Sequence, residues 1–218
     1  MIKAVIFDMD GLMVDTEPLY SVAMSQIAEK RGKCFTLDIK QKVMGRLPIE
    51  SLTIFKEQLG LNESPEKLLE EREEIYGKIL AQNVKPMPGL FSILELLSKM
   101  SIRKAIASSS QRVWIDLIVN KLGILDQFEI IVCGQEVKHG KPKPDIYLLA
   151  AKKLNLNPEQ CLVLEDAVSG VEAAKSANMK CIAIPNQFTQ GLDFSNADLV
   201  ANSLEEIDKS ILGSWVIE

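Results

Sequence analysis

Polar and apolar positions along this chain follow two rhythms. Apolar, β-branched runs of strand length occur at residues 5–7, 102–107 (where Arg103 and Lys104 interrupt it), 130–133, 162–164 and 182–184, with a weaker one at 199–201. Between them the apolar residues recur at helical spacing, at 113, 114, 117, 118 and 122 within the stretch 112–122, and in shorter patterns over 90–100, 145–154 and 170–177. A strand reads as continuously apolar when both of its faces are covered, so this alternation predicts a parallel sheet with helices on both sides. Crossovers in such a sheet are right-handed.

One stretch departs from the alternation. Between residues 17 and 85 the pattern is helical throughout, with helices predicted over 18–31, closed by Gly32, over 37–43, and over 49–59, closed by Gly60. A further helix opens at Ser64-Pro65-Glu66, which supplies a cap, a proline in the first turn and an acid near the helix N-terminus. It carries Leu68, Leu69, Arg72, Ile75, Tyr76, Ile79 and Leu80 on one face. The expected fold class is therefore α/β, a Rossmann-like doubly wound parallel sheet over 1–15 and 87–218 with an all-helical cap domain inserted over 16–86. Both connections of the insertion, at Asp15-Thr16 and at 85–89, fall beside the first acids of the chain, so it reads as a lid; a static decoration is the plainer alternative.

Composition narrows the class. Hydrophobic residues make up 47% and charged residues 25% of 218 positions, as in a soluble globular protein. A net charge of -5 argues against nucleic acid as a partner, and no apolar run approaches the roughly 20 residues that span a bilayer. The N-terminus does not read as a signal peptide, so a cytoplasmic protein without a membrane partner is expected, with a monomer as the default. Cys34, Cys133, Cys161 and Cys181 form no CxxC pair and read as small buried thiols in a reducing compartment. The single histidine, His139, excludes a multi-histidine metal site and reads as a solvated loop residue.

Four predicted strands end in polar groups. The first delivers Asp8 and Asp10; the second leads into Ser108-Ser109-Ser110; the third precedes Gly140-Lys141-Pro142-Lys143; the fourth ends in Glu165-Asp166. In a right-handed parallel sheet these ends converge on one edge. Asp8, Asp10, Glu165 and Asp166 then bring four negative charges against the single positive charge of Lys141, an imbalance that a hard divalent cation relieves. Oxygen donors without a histidine or cysteine set point to Mg²⁺ rather than zinc. Ser108, Ser109 and Ser110 read plainly as helix caps and functionally as an anion site at a helix start, with Ser108 and Ser109 the candidate phosphate contacts, and Lys141, confined next to Pro142, is a point-charge clamp. Together the parts describe phosphoryl transfer, with Asp8, the residue that emerges directly from the strand, as nucleophile and Asp10 as general acid and base.

The run Asp8-Met9-Asp10-Gly11-Leu12-Met13-Val14-Asp15-Thr16-Glu17, the Ser108 strand end, Gly140-Lys141-Pro142 and Glu165-Asp166 resemble, in order, the four motifs of the haloacid dehalogenase superfamily, in the branch of β-phosphoglucomutase and small sugar-phosphate phosphatases. The resemblance covers essentially the whole chain. It implies a helical cap, Mg²⁺ dependence and an aspartyl-phosphate intermediate. It further implies that Asp8, the Asp10 carbonyl and Asp166 coordinate the metal with Glu165 adjacent or outer-sphere, and it adds Thr16 to the phosphate contacts. Asp10 is the residue that the dehalogenases lack, so a phosphatase acting on small phosphate monoesters is expected. The alternative is a hexose-phosphate mutase. Against it, Tyr20 stands where mutases have a histidine, Gln111 where a lysine is expected, and Met44 and Pro48 flank Gly45 with Arg46 as the sole nearby cation. A non-catalytic phosphate-binding module is the third reading. Tyr20, Arg46, Glu50 and Ser51 are the residues of the insertion expected to line a substrate pocket.

Overall fold

The structure, a computed structural model, describes residues 1–43 and 48–216. Met44, Gly45 and Arg46, which bear on the mutase alternative, lie outside the described residues. The chain divides into two compact units, Met1–Asp15 with Val84–Glu218, and Thr16–Asn83. The first unit resumes at Val84 because the segment after the insertion pairs back on the first loop: Val14 forms an antiparallel bridge with Pro86, and Asp15 N–H donates to the Lys85 carbonyl at 3.4 Å.

In chain order the elements are β1 (Ala4–Phe7), α1 (Glu17–Glu29), α2 (Leu37–Val43), α3 (Pro48–Leu59), α4 (Pro65–Asn83), α5 (Leu90–Lys99), β2 (Arg103–Ser108), α6 (Arg112–Lys121), β3 (Ile130–Cys133), α7 (Asp145–Lys153), β4 (Cys161–Glu165), α8 (Val168–Ser176), β5 (Lys180–Ala183), β6 (Leu199–Val200) and α9 (Lys209–Val216). The six strands form one parallel sheet in the order β3-β2-β1-β4-β5-β6. Strand order reverses direction between β1 and β4, the place where ligand crevices form in open α/β sheets. In register, Ala4 of β1 faces Arg103 of β2 on one side and Cys161 of β4 on the other.

Every residue of β1 and β4 is buried, which is why both read as unbroken apolar runs. Ala4, Ile6, Val163 and Cys161 pack with Tyr147 and Ala150 of α7 and with Val171 and Ala174 of α8. Phe7 meets Phe128 edge to face, with centroids 5.8 Å apart. The helical unit has a core of its own, built from Met24, Ile27, Leu52, Phe55, Leu68 and Ile75. Among the described residues no helix is long and apolar enough to cross a membrane. Cys133, Cys161 and Cys181 are buried as expected, whereas Cys34 is exposed, because it falls in the loop between α1 and α2 rather than beside a strand. Helix α9 was not anticipated from the sequence.

Ile6 is fully enclosed at the centre of the sheet. Ile6→Ala should therefore cost about 3 kcal/mol through lost burial and the cavity left behind. The expected readout is a lower denaturant midpoint at an unchanged slope of unfolding.

Candidate active site

β1 stops at Phe7, and the next residue, Asp8, still donates its N–H to the Leu164 carbonyl of β4 at 3.0 Å. This bond fixes Asp8 against the neighbouring strand end. The chain then closes a tight loop in which Met13 N–H donates to Met9 at 2.9 Å and Gly11 N–H to Val14 at 2.8 Å. Gly11 takes φ +84° there, a conformation that a side chain would strain. β4 ends on Glu165, followed by Asp166. One carboxylate oxygen from each of Asp8, Glu165 and Asp166 lies within 4.8 Å of the others, and all three residues are buried.

Lys141 enters this group from the loop before α7. Its ammonium pairs with Asp8 Oδ1 and with Glu165 Oε1, the latter at 2.5 Å, and lies 5.1 Å from the centre of the Tyr147 ring. Glu165 is engaged on both oxygens: Oε1 also accepts from the Tyr147 hydroxyl at 2.9 Å, and Oε2 accepts from Ala167 N–H at 2.9 Å. Gly170 in the first turn of α8 makes room for it, since a Cβ at that position would overlap the carboxylate.

The Asp10 carboxylate is not part of the three-acid group. Its Oδ2 accepts from the Ser108 hydroxyl at 3.1 Å and the Ser110 hydroxyl at 2.7 Å, and Ser110 N–H donates to Ser108 Oγ at 3.0 Å. The sequence pointed to Ser108 and Ser109. Among the described residues it is Ser110, not Ser109, whose hydroxyl joins the cluster, and Ser109 is exposed. β2 ends at Ser108 and the chain bends over the next two residues, which turns Ser110 back toward Ser108 and Asp10. Thr16 is buried at the N-cap of α1 and belongs to the helical unit. His139 is solvated, with Nδ1 3.0 Å from Asp145 Oδ1.

Among the described residues, two further side chains touch the acids without a motif to mark them. One is Tyr147. The other is Asn186, just past β5, whose side-chain amide donates to Asp166 Oδ2 at 2.7 Å. Tyr147 looks like an ordinary core position of α7, and Asn186 belongs to a loop without a motif; only the strand order brings either to the site.

Charge is unbalanced here. Burial first, then the nearby Glu165 and Asp10, outweigh Lys141 and raise the Asp8 carboxyl from 3.8 to about 7. Burial, with Asp8 and Glu165 beside it, raises Asp166 from 3.8 to about 9. Burial alone would push the Lys141 ammonium down, but Asp8 and Glu165 prevail and hold it well above its ordinary value. The directions agree physically: one ammonium stays charged among several carboxylates, and it cannot neutralise them all.

Within the helical unit, the Tyr20 hydroxyl lies 3.3 Å from Ser51 Oγ, and Arg72 Nη1 donates to that hydroxyl at 3.4 Å. Arg72 is buried and ion-paired with Glu73, so this unit holds an enclosed cation that the sequence presented only as part of an apolar-leaning face. Glu50 is exposed.

Comparison with known proteins agrees with this geometry. The family model for haloacid dehalogenase-like hydrolases matches residues 5–184. A phosphorylated carbohydrates phosphatase of Thermotoga maritima is 40% identical over 185 residues, covering 83% of this chain and 83% of its own. The beta-phosphoglucomutase of Bacillus subtilis is 32% identical over 217 residues, 96% of this chain and 93% of its own. Among solved structures, a variant of CbbY from Rhodobacter sphaeroides in complex with xylulose-(1,5)bisphosphate matches with a TM-score of 0.83 at 25% identity, covering 94% of this chain and 96% of that one.

The raised carboxyls set a pH dependence. Both lie above the ordinary value of 3.8 in the folded protein, so the unfolded chain releases these protons first and gains on the folded one as pH climbs. Carboxylates held low, such as Glu71 beside Arg31, finish titrating at lower pH and do not oppose the trend. In metal-free protein the thermal midpoint should fall between about pH 5 and about pH 9. Saturating Mg²⁺ should flatten the slope; the check is a melting series with chelator against one with Mg²⁺.

Proposed function

The chain belongs to the haloacid dehalogenase-like hydrolases and is a phosphoric monoester hydrolase of that family, and from that premise we propose that it cleaves small sugar phosphates through an aspartyl phosphate on Asp8, with Mg²⁺ as cofactor. The observation that carries this reading is the meeting of Asp8, Glu165, Asp166 and Lys141 where β1 and β4 adjoin. The sugar-phosphate class is supported by the likeness to the Thermotoga maritima phosphorylated carbohydrates phosphatase and to the CbbY complex with xylulose-(1,5)bisphosphate.

The donor set fits Mg²⁺. It consists of buried hard oxygens with more negative charge than Lys141 can balance, and no imidazole or thiolate belongs to it. Asp8, Asp166 and the backbone carbonyl of Asp10 would hold the ion. Glu165, whose oxygens already accept from Lys141, Tyr147 and Ala167, is assigned to fixing Lys141. When bound, the cation supplies neutralising charge to Asp8 and to the transferring phosphoryl group.

The chain's own residues carry the two displacements. An Asp8 oxygen bonds to phosphorus as the bond from phosphorus to the ester oxygen breaks, and Asp10 gives its proton to that departing oxygen. Asp10, now a carboxylate, then takes a proton from water as the water oxygen bonds to phosphorus. The bond to Asp8 breaks, inorganic phosphate leaves and Asp8 is restored. The hydroxyls of Ser108 and Ser110 both donate to Asp10 Oδ2, which fixes the orientation of the carboxyl that exchanges the proton. The fixed ammonium of Lys141 offsets charge on the phosphoryl oxygens.

The mutase alternative draws on the likeness to the Bacillus subtilis beta-phosphoglucomutase and on the enclosed Arg72 beside Tyr20. Tyr20, standing where mutases have histidine, favours the phosphatase.

Asp8→Asn should reduce Mg²⁺-dependent turnover of para-nitrophenyl phosphate about 10⁴-fold or more, as loss of a nucleophile does; undiminished turnover would end the proposal. Incubation with β-glucose 1-phosphate separates the two reactions. Free inorganic phosphate is the expected product, and accumulation of glucose 6-phosphate would assign the mutase instead.

A further inference from the structure

Asn186 carries no charge and lies on the loop after β5, yet it joins two parts of the site. Its Nδ2 donates one hydrogen to Asp166 Oδ2 at 2.7 Å and the other to the Gly11 carbonyl at 3.1 Å. The amide is held from behind: Oδ1 accepts Phe188 N–H at 2.8 Å, and the Asn186 backbone N–H donates to Thr189 Oγ1 at 3.0 Å. Turning the amide over would set Oδ1 against a carboxylate and a carbonyl, and Nδ2 against an N–H, so the network permits one orientation. Gly11 is bare where it meets this pair, and a Cβ there would run into both Asp166 and Asn186.

We infer that Asn186 is a positioning residue for the cation: it locks Asp166 by Oδ2, leaving Oδ1 as the donor, and ties the loop that carries Asp10 to the same carboxylate. The inference rests on the Mg²⁺ site proposed above and deepens it. Asn186 also lines a cavity of about 610 Å³ whose wall includes Met87, Phe194 and Leu204 but not Asp166. Asn186→Leu removes the fixed donor to Asp166. Partners that orient a ligating carboxylate are typically worth about 10- to 100-fold in metal affinity.

The test is calorimetric titration of the substrate-free protein with Mg²⁺, comparing wild type, Asn186→Leu and Gln187→Leu, whose side chain lines the same cavity. Asn186→Leu should weaken Mg²⁺ binding about 10-fold or more, with Gln187→Leu binding as wild type. At saturating Mg²⁺ the substrate KM of Asn186→Leu should stay near wild type. An Asn186→Leu protein that binds Mg²⁺ as tightly as wild type overturns the inference and leaves the proposed function standing, as does equal weakening in Gln187→Leu. A wild type that takes up no Mg²⁺ overturns both. Should Asn186→Leu fail to fold, the wild type carries the test: its assigned Asn186 side-chain amide resonances shift as Mg²⁺ is added, and resonances unmoved at saturation overturn the inference.

Discussion

The site depends on an excess of negative charge that the fold keeps out of water. Asp8, Glu165 and Asp166 are buried within 4.8 Å of one another, and Lys141 is the ammonium set among them. Buried carboxylates without full compensation are costly, and the group responds by holding protons at Asp8 and Asp166. The same imbalance makes the pocket receptive to a cation and to chemistry that passes negative charge through it. Stability is given up locally in exchange for reactivity, and the enclosed strands beneath supply the difference.

Topology makes that concentration of charge possible. In the order β3-β2-β1-β4-β5-β6, the strands carrying the acids are neighbours, although roughly 150 residues of chain separate them. Parallel strands present their C-terminal ends on one edge, so residues that follow β1, β2, β4 and β5 arrive together. Side chains too large for the remaining space are excluded at two points, Gly11 beside Asp166 and Gly170 beneath Glu165. Each glycine is needed for the space that it leaves.

The two carboxylates of the first motif have different surroundings. Asp8 is paired with Lys141 and shares the buried group, while Asp10 accepts from two serine hydroxyls at the end of β2. The one residue between them lets Asp8 reach the loop before α7 while Asp10 reaches the end of β2.

By itself the sequence determined the sheet, the helical insertion and the acids at the strand ends. Those features are written in one dimension: apolar runs mark strands buried on both faces, helical spacing marks the insertion, and charges that interrupt an apolar run mark its end. Asp8, Glu165 and Asp166 were legible for this reason, and Lys141 from its place between Gly140 and Pro142. Tertiary structure alone decided which neutral groups complete the site. Ser110 reaches Asp10 because the chain bends after β2; Tyr147 looked like core until α7 set its hydroxyl against Glu165. Asn186 became visible only when β5 took its place beside β4 and brought the following loop to Asp166. A hydrogen bond between distant residues depends on strand order and rotamer, neither of which leaves a periodic trace in the chain.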